Sequence, residues 1–356
     1  MLRRILVLNM GSTSTKIAVY SEKEKIWSES ISHPRGELAL YEEYMGQYAY
    51  RKKIILSVLK DKGEIIDNFT AIVSRGGTIK PVSGGVYIIN QTMLDDAWSG
   101  YYGEHPCNIG GQIAFDLSKE YNIPALTVDP PVCNEMCTEA KYSGLPEIER
   151  KAVFQALNQR AIARRYCSDL GVDYKEVDLI VAHMGGGVSV AAHKKGKIVD
   201  VNNALAGDGP FALERSGGLP VGDLINICYS GRYEREEVLR LVNGKGGMAA
   251  YLKTTDAREI ESRISQGDSY ALEVTKAMTY QIAKEINGIS AVFNGEVDAI
   301  LLTGGLAYWD RFVDFIKERV SFIAPIYRYP GENEMESLVF GALRYLNGEE
   351  KAQDYA

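Results

Sequence analysis

Cysteine is scarce in this chain: Cys107, Cys133, Cys137, Cys167 and Cys228 are five in 356 residues, an odd and scattered set. That excludes a disulfide framework of the kind that staples small secreted domains. Cys133 and Cys137 could share a helical face, but no second Cys/His pair follows at zinc-site spacing, so they read as incidental thiols. Histidine is rarer still, with four residues. Basic charge is not in excess, because 40 Lys and Arg stand against 47 Asp and Glu for a net charge of -7, which argues against a nucleic-acid surface. No apolar run approaches the roughly 20 residues of a membrane helix. The opening run Ile5-Leu6-Val7-Leu8 ends at Asn9, too short for an export signal, so a cytoplasmic chain without a membrane partner is expected.

What is present suits a well-packed α/β protein: 46% hydrophobic and 24% charged residues, over a length that fits two domains rather than one core. Strands are expected at Arg4–Met10, Lys16–Tyr20 and Lys25–Ile31, then Ala71–Val73, Val86–Ile89 and Ala125–Val128. A long amphipathic segment runs from Glu37 to Lys62, and helices are expected at Asn108–Glu120 and Ile148–Leu170. Leu179–Ala182, Val188–Ala192 and Ile198–Val201 read as three more strands. Helices then follow near Val221–Ser230, Arg235–Val242, Arg258–Ile264 and Asp268–Phe293. The strands Ala299–Thr303 and Phe322–Ile326 and the helices Trp309–Arg319 and Glu332–Leu346 complete the pattern.

Strand, glycine turn and strand occur twice. Asn9-Met10-Gly11 and His183-Met184-Gly185 each follow a four-residue apolar run and precede a second strand. This predicts a duplication, with each half offering a β-turn to a shared ligand. Such turns suit phosphates, because glycine lets backbone N–H groups approach oxygen closely and a nest of them carries partial positive charge. Ser12, Thr13 and Ser14 add hydroxyls and Lys16 a cation, while Gly185, Gly186 and Gly187 form the second turn and Gly304-Gly305 a third after a buried strand. The chain has neither a P-loop nor the dinucleotide-binding glycine fingerprint.

Seven stretches in order, over almost the whole chain, carry a closer likeness: Ile5–Lys16, Ser74-Arg75-Gly76-Gly77, Val128-Asp129-Pro130, Ala182–Gly187, Glu214-Arg215-Ser216-Gly217, Thr255-Asp256-Ala257-Arg258 and Leu302-Thr303-Gly304-Gly305. In these the sequence resembles the acetate/butyrate kinase family of the actin-like ATPase superfamily. Ser74–Gly77, Asn202-Asn203-Ala204-Leu205 and the short length favour the butyrate branch. The resemblance implies two duplicated ribonuclease H-like domains with mixed sheets flanked by helices around a central cleft. The acyl and phosphate side is expected in 1–135 with about 336–356, and the nucleotide side in 136–335.

It further implies reversible phosphoryl transfer between ATP (or ADP) and a short carboxylate such as butyrate, with Mg²⁺, in an enzyme that self-associates as a dimer or more. Arg75 and Arg215 would hold the carboxylate and the transferring phosphoryl group, which suits the guanidinium fork. His183 would donate to the migrating oxygens, and Asp129 and Glu334 would bind Mg²⁺ through water. Asn9, Ser12 and Ser14 would meet phosphates or bound water, Gly304-Gly305 the adenosine, and Asp256 and Arg258 the nucleotide. His105-Pro106-Cys107-Asn108 resembles a family motif with one residue missing, making His105 a candidate site residue, and Arg75 abuts Gly76 more closely than in acetate kinases. His33 and His193 read as surface residues. Ala182, small and next to His183, is expected to leave space for a propyl group. Acetate or propionate as substrate, an actin-like or chaperone-like ATPase, and a sugar or glycerol kinase are the alternatives.

Overall fold

The computed structural model describes residues 2–356. The chain divides into two compact units, one comprising residues up to Cys133 together with Asn333–Ala356, the other Asn134–Glu332.

In the first unit β1 (Arg4–Met10), β2 (Ser14–Ser21) and β3 (Glu24–Ser32) form an antiparallel meander. Strands β4 (Ala71–Ser74), β5 (Val86–Ile88) and β6 (Ala125–Val128) complete a six-stranded sheet of order β3-β2-β1-β4-β6-β5, in which β1, β4 and β6 run parallel. Those three are apolar almost throughout because helices cover both faces. Leu6, Leu8 and Met10 pack toward Ile109 and Ile113 of the helix Cys107–Tyr121. On the other side the helix Glu334–Leu346 packs against β1, β4 and β6, close enough that a Cβ on Gly341 would overlap Val128.

The second unit repeats the plan. Strands β7 (Asp178–Met184), β8 (Val188–Lys194) and β9 (Lys197–Val201) form the meander, and β10 (Ala299–Gly304) and β11 (Ile326–Pro330) extend it in parallel, in the order β11-β10-β7-β8-β9. Ile180, Ala182 and Met184 enter a core with Met278, Ile282 and Ile286 of the long helix Ser269–Ile289. Leu179 and Val181 face the helix Ala156–Leu170.

Several expectations shift. The segment from Glu37 to Lys62 is one continuous helix only over Tyr48–Asp61, with a separate turn at Arg35–Leu38; Leu40 is exposed, and a helix there would bury little. The helix expected from Ile148 begins at Ala156, because Glu149 bridges back to Tyr142 and Arg150 pairs with Asp200. The last strand starts at Ile326 instead of Phe322, since Pro325 lacks the N–H that pairing needs. The helix Gln91–Ser99, capped by Asn90 and by left-handed Gly100, was not anticipated. Ala182 lies in the core of its unit, on the face of β7 opposite His183, so it offers no space to a ligand.

His33 and His193 are buried, contrary to the surface reading. His193 bonds Tyr174 at 2.7 Å and Gln159 at 3.0 Å. Burial, reinforced by Arg160 and Arg164, holds its pKa well below the ordinary imidazole value. Below about pH 6.5 the unfolded chain protonates this histidine and the folded chain does not. Stability is therefore expected to fall as pH drops below that point, by up to about 1.4 kcal/mol per pH unit. Urea unfolding between pH 7 and 5.5 measures this, and a His193→Gln variant is expected to flatten the slope.

Candidate functional site

Each unit carries a glycine turn at the end of its first strand, and the two turns are closed alike. Gly11 N–H donates to Ser14 O at 2.9 Å, and Gly185 N–H donates to Gly187 O at 3.0 Å.

In the first unit the parallel pairing of β1 with β4 sets Asn9 beside Arg75 at the C-terminal ends of the strands, where open α/β sheets usually bind ligands. Glu334, opening the last helix, joins them: its Oε2 accepts from Asn9 Nδ2 at 2.8 Å and its Oε1 lies 3.5 Å from Arg75 Nη1. Ser12 and Thr13 are exposed at the turn, and exposed Lys16 lies opposite Asn9 in register. His105 accepts at Nδ1 from Cys107 N–H at 3.1 Å. Its pKa is lowered by burial and then by the charges of Arg75 and Arg51, which places it in the same electrostatic neighbourhood. Asp129 is buried at the end of β6 with φ 42°, and its Oδ1 accepts from Gly85 N–H at 2.8 Å. No group of three or more His, Cys, Asp or Glu side chains able to hold a metal ion occurs among the described residues.

In the second unit β7 aims His183 away from the core that holds Ala182. The imidazole is 1% exposed, with Nδ1 2.8 Å from Asn158 Oδ1 and Nε2 2.9 Å from Glu332 Oε1. Arg215 is half-buried, which lowers its pKa. Its Nη1 donates to Ala204 O at 2.7 Å and its Nε to Asn243 Oδ1 at 3.3 Å. It lies directly over Gly187, where a Cβ would overlap Nη1. Gly304 has φ 87° and brings the end of β10 against Met184, an approach that only glycine permits.

A groove of about 820 Å³ opens beside this turn. Gly185, Gly186, Asp256, Arg258 and Gly305, all expected from sequence, line it. Its volume is in the range of a nucleotide-sized pocket. Asp256 caps the helix Ala257–Ser265 and accepts from Arg258 N–H and Nη2, bonds that hold its carboxyl below the usual range. Sequence reasoning missed Glu261, Tyr308, Trp309 and Arg311, which line the same groove. Glu261 binds Arg311 through paired contacts near 3.1 Å and also accepts from Trp309 Nε1. These partners are about fifty residues apart, and no local pattern announces them.

The Acetokinase family profile matches residues 148–314. Butyrate kinase 2 of Clostridium acetobutylicum is 49% identical over 352 residues, covering 99% of each chain. The chain belongs to the acetokinase family. A solved acetate kinase from Porphyromonas gingivalis superposes with a TM-score of 0.76 at 21% identity, covering 97% of this chain and all of that one. A propionate kinase from Francisella tularensis subsp. tularensis SCHU S4 gives 0.73 at 18%, covering 96% and 99%. These likenesses show that the fold is shared, a duplicated α/β fold that the repeated strand orders display directly.

Within this acetokinase fold the Arg215–Gly187 stack is the tightest geometric constraint on a candidate site residue. Gly187→Ala is expected to push the guanidinium off Ala204 O and to lower kcat/KM for phosphoryl transfer about tenfold to a hundredfold. Gly186→Ala, whose Cβ would meet only Glu214 Oε1 at 3.3 Å, is expected to be milder. Steady-state kinetics of the two variants tests the order.

Proposed function

We propose that this protein transfers the γ-phosphoryl group of ATP to butyrate, or to a related short or branched carboxylate, giving the acyl phosphate and ADP reversibly by direct in-line transfer. Membership of the family and full-length similarity to butyrate kinase 2 support the reaction class. The observation that carries the reading is that each glycine turn has an arginine set beside it: Arg75 next to Asn9 and Arg215 over Gly187.

Phosphoryl transfer asks for alignment and charge neutralisation more than for covalent chemistry. In this proposal the groove along Gly185, Gly186 and Gly305 takes the nucleotide, with Asp256 and Arg258 at its edge. Arg75 and Arg215 orient the carboxylate and the migrating phosphoryl group. His183 donates from Nε2 to the phosphoryl oxygens, exchanging the side chain of Glu332, which is 48% exposed. Asn9, Gly11, Ser12, Thr13, Ser14 and Lys16 meet phosphate oxygens or their water.

The donor set fits Mg²⁺ carried on the nucleotide's phosphates and held through water by the hard oxygens of Glu334 and Asp129, rather than a closed protein cage. Bound there, the ion would neutralise phosphate oxygens. Arg75 and Asn9 already orient Glu334.

A cytosolic setting and self-association belong to the same proposal. No disulfide joins the five cysteines among the described residues. The helix Val221–Cys228 buries none of its residues and exposes Val221 and Ile225, a face suited to a second copy. Sedimentation velocity is expected to show a dimer or larger species; a monomer at micromolar concentration would refute that part.

Hydroxylamine trapping with ATP, Mg²⁺ and butyrate is expected to yield acyl hydroxamate, whereas ATP hydrolysis indifferent to butyrate would point to a chaperone-like or filament ATPase. Each buried CH₂ adds about 0.8 kcal/mol, so kcat/KM is expected to rise in graded steps from acetate to butyrate. Equal or better activity on acetate would overturn the chain-length assignment alone. Inversion at a chiral phosphorus is expected, and retention would replace in-line transfer with a phosphoenzyme route.

A further inference from the structure

The turn at residues 11–14 has an inner face that the reaction scheme leaves unexplained. Ser12 O accepts from Arg51 Nη2 at 3.2 Å, and Ser14 O accepts from Arg51 Nη1 at 3.0 Å. Thr13 O accepts from His33 N–H at 2.8 Å. Three successive carbonyls are thus drawn inward and occupied. Because a trans peptide is planar, turning Ser12 O inward sends the N–H of Thr13 outward. The exposed side of the turn is left to hydroxyls and N–H donors instead of carbonyl acceptors that would repel an anion.

Arg51 itself is unusual. It sits on the helix Tyr48–Asp61 with no exposed surface, and its remaining hydrogen bonds go to Thr15 Oγ1 at 3.1 Å and Gln47 Oε1 at 3.0 Å. Every acceptor is neutral, and none is a carboxylate. A buried guanidinium without a counter-ion is costly, and that cost falls when an anion arrives nearby. The neighbouring His33 adds no compensation. It bonds Thr15 Oγ1 at 2.8 Å, and burial and the Arg51 charge favour its neutral form, while Glu37 at the outer end of the chain through Tyr50 acts in the opposite sense. The charge of Arg51 is felt as far as His105, beside Arg75.

We propose that Arg51 is a positioning residue for phosphate recognition. Its guanidinium holds the carbonyls of Ser12 and Ser14 inward and supplies, from beneath the turn, the positive charge that draws a phosphate to the outer side. This rests on the reading of residues 11–14 as a phosphate-facing turn, and the test separates the two.

Arg51→Met and Arg51→Lys are compared with the parent enzyme for KM of ATP, KM of the acyl phosphate, KM of the carboxylate, kcat and Tm. Arg51→Met is expected to raise KM for at least one phosphate-bearing substrate about tenfold to a hundredfold, with KM for the carboxylate little changed. Arg51→Lys, which keeps the charge but not the fork, is expected to fall between Met and the parent. Both lose some Tm, so Tm alone decides nothing. If Arg51→Met does not fold, Arg51→Lys carries the comparison, and it must still raise a phosphate-substrate KM. Gln47→Ala, which removes one bond to Arg51 but leaves the charge, is expected to lower Tm with a smaller KM effect.

Folded Arg51 variants with parental KM for both phosphate substrates would overturn the inference. Ser12→Ala and Lys16→Ala report on the turn itself. If they raise those KM values while the Arg51 variants do not, only the role of Arg51 fails. If none of the variants moves KM, the phosphate-facing reading of the turn fails with it.

Discussion

A turn can face a phosphate only if its carbonyls have somewhere else to go. Each peptide that points a donor outward points an acceptor inward, and a buried acceptor must be paired. The two units of this protein meet that demand with a strand hairpin whose first N–H closes on a carbonyl two or three residues later. In the first unit a buried arginine and the backbone of His33 take the remaining carbonyls. In the second, the turn consists of three glycines and the guanidinium of Arg215 lies over the last. The surrounding sheets, with β1 and β7 buried at their centres, fix where these hairpins emerge. Core packing therefore serves the site by holding the strand ends still, which loops alone would not achieve.

Much of this was legible in the sequence. The strand–glycine–strand repeat gave the duplicated fold because two four-residue apolar runs, each followed by a glycine turn, are local signals. Asn9 and Arg75 belong to short conspicuous stretches, and parallel pairing of β1 with β4 brings those stretches together. Gly185, Asp256 and Gly305 could be assigned to one ligand from their motifs, and they do line one groove. Arg51 could not be found this way. It opens the run Arg51-Lys52-Lys53, which looks like a solvated helix face, and the carbonyls it holds lie 37 residues and more away. Ala182 failed for a different reason: adjacency to His183 in sequence means opposition in a strand, so the nearest small residue is the one that cannot share its space.

The correction at Ala182 bears on substrate choice. In the proposed scheme, a pocket that measures acyl length would be built from side chains near the arginine proposed to hold the carboxylate, not from the core face of β7. Around Arg75 the first unit offers Cys107, whose thiol is buried and pushed up to about 11, mainly by that burial. A neutral thiol is a small apolar group in effect. The His105 ring, with its charged form disfavoured, adds a second surface without a fixed charge.

The distribution of arginine partners extends this logic to the whole chain. Several arginines away from the turns meet carboxylates at short range: Arg150 with Asp200 at 3.0 Å, Arg263 with Asp268 at 2.8 Å and Arg311 with Glu261 at 3.1 Å. At the turns the pattern changes. Arg51 bonds only carbonyl, hydroxyl and amide oxygens, Arg215 bonds Ala204 O and Asn243 Oδ1, and Arg75 keeps a looser contact of 3.5 Å with Glu334. In a chain carrying a net charge of -7, leaving these cations without a tight acidic partner is a selective arrangement. Neutral acceptors fix a guanidinium's direction without cancelling its field, so the charge remains to act on an incoming anion. A carboxylate partner at each position would give a more self-sufficient folded state and a poorer site for phosphate. In the proposed scheme, the cost of holding cations near the turns without tight acidic partners is tied to the feature that would let a polyanion bind a chain of net negative charge.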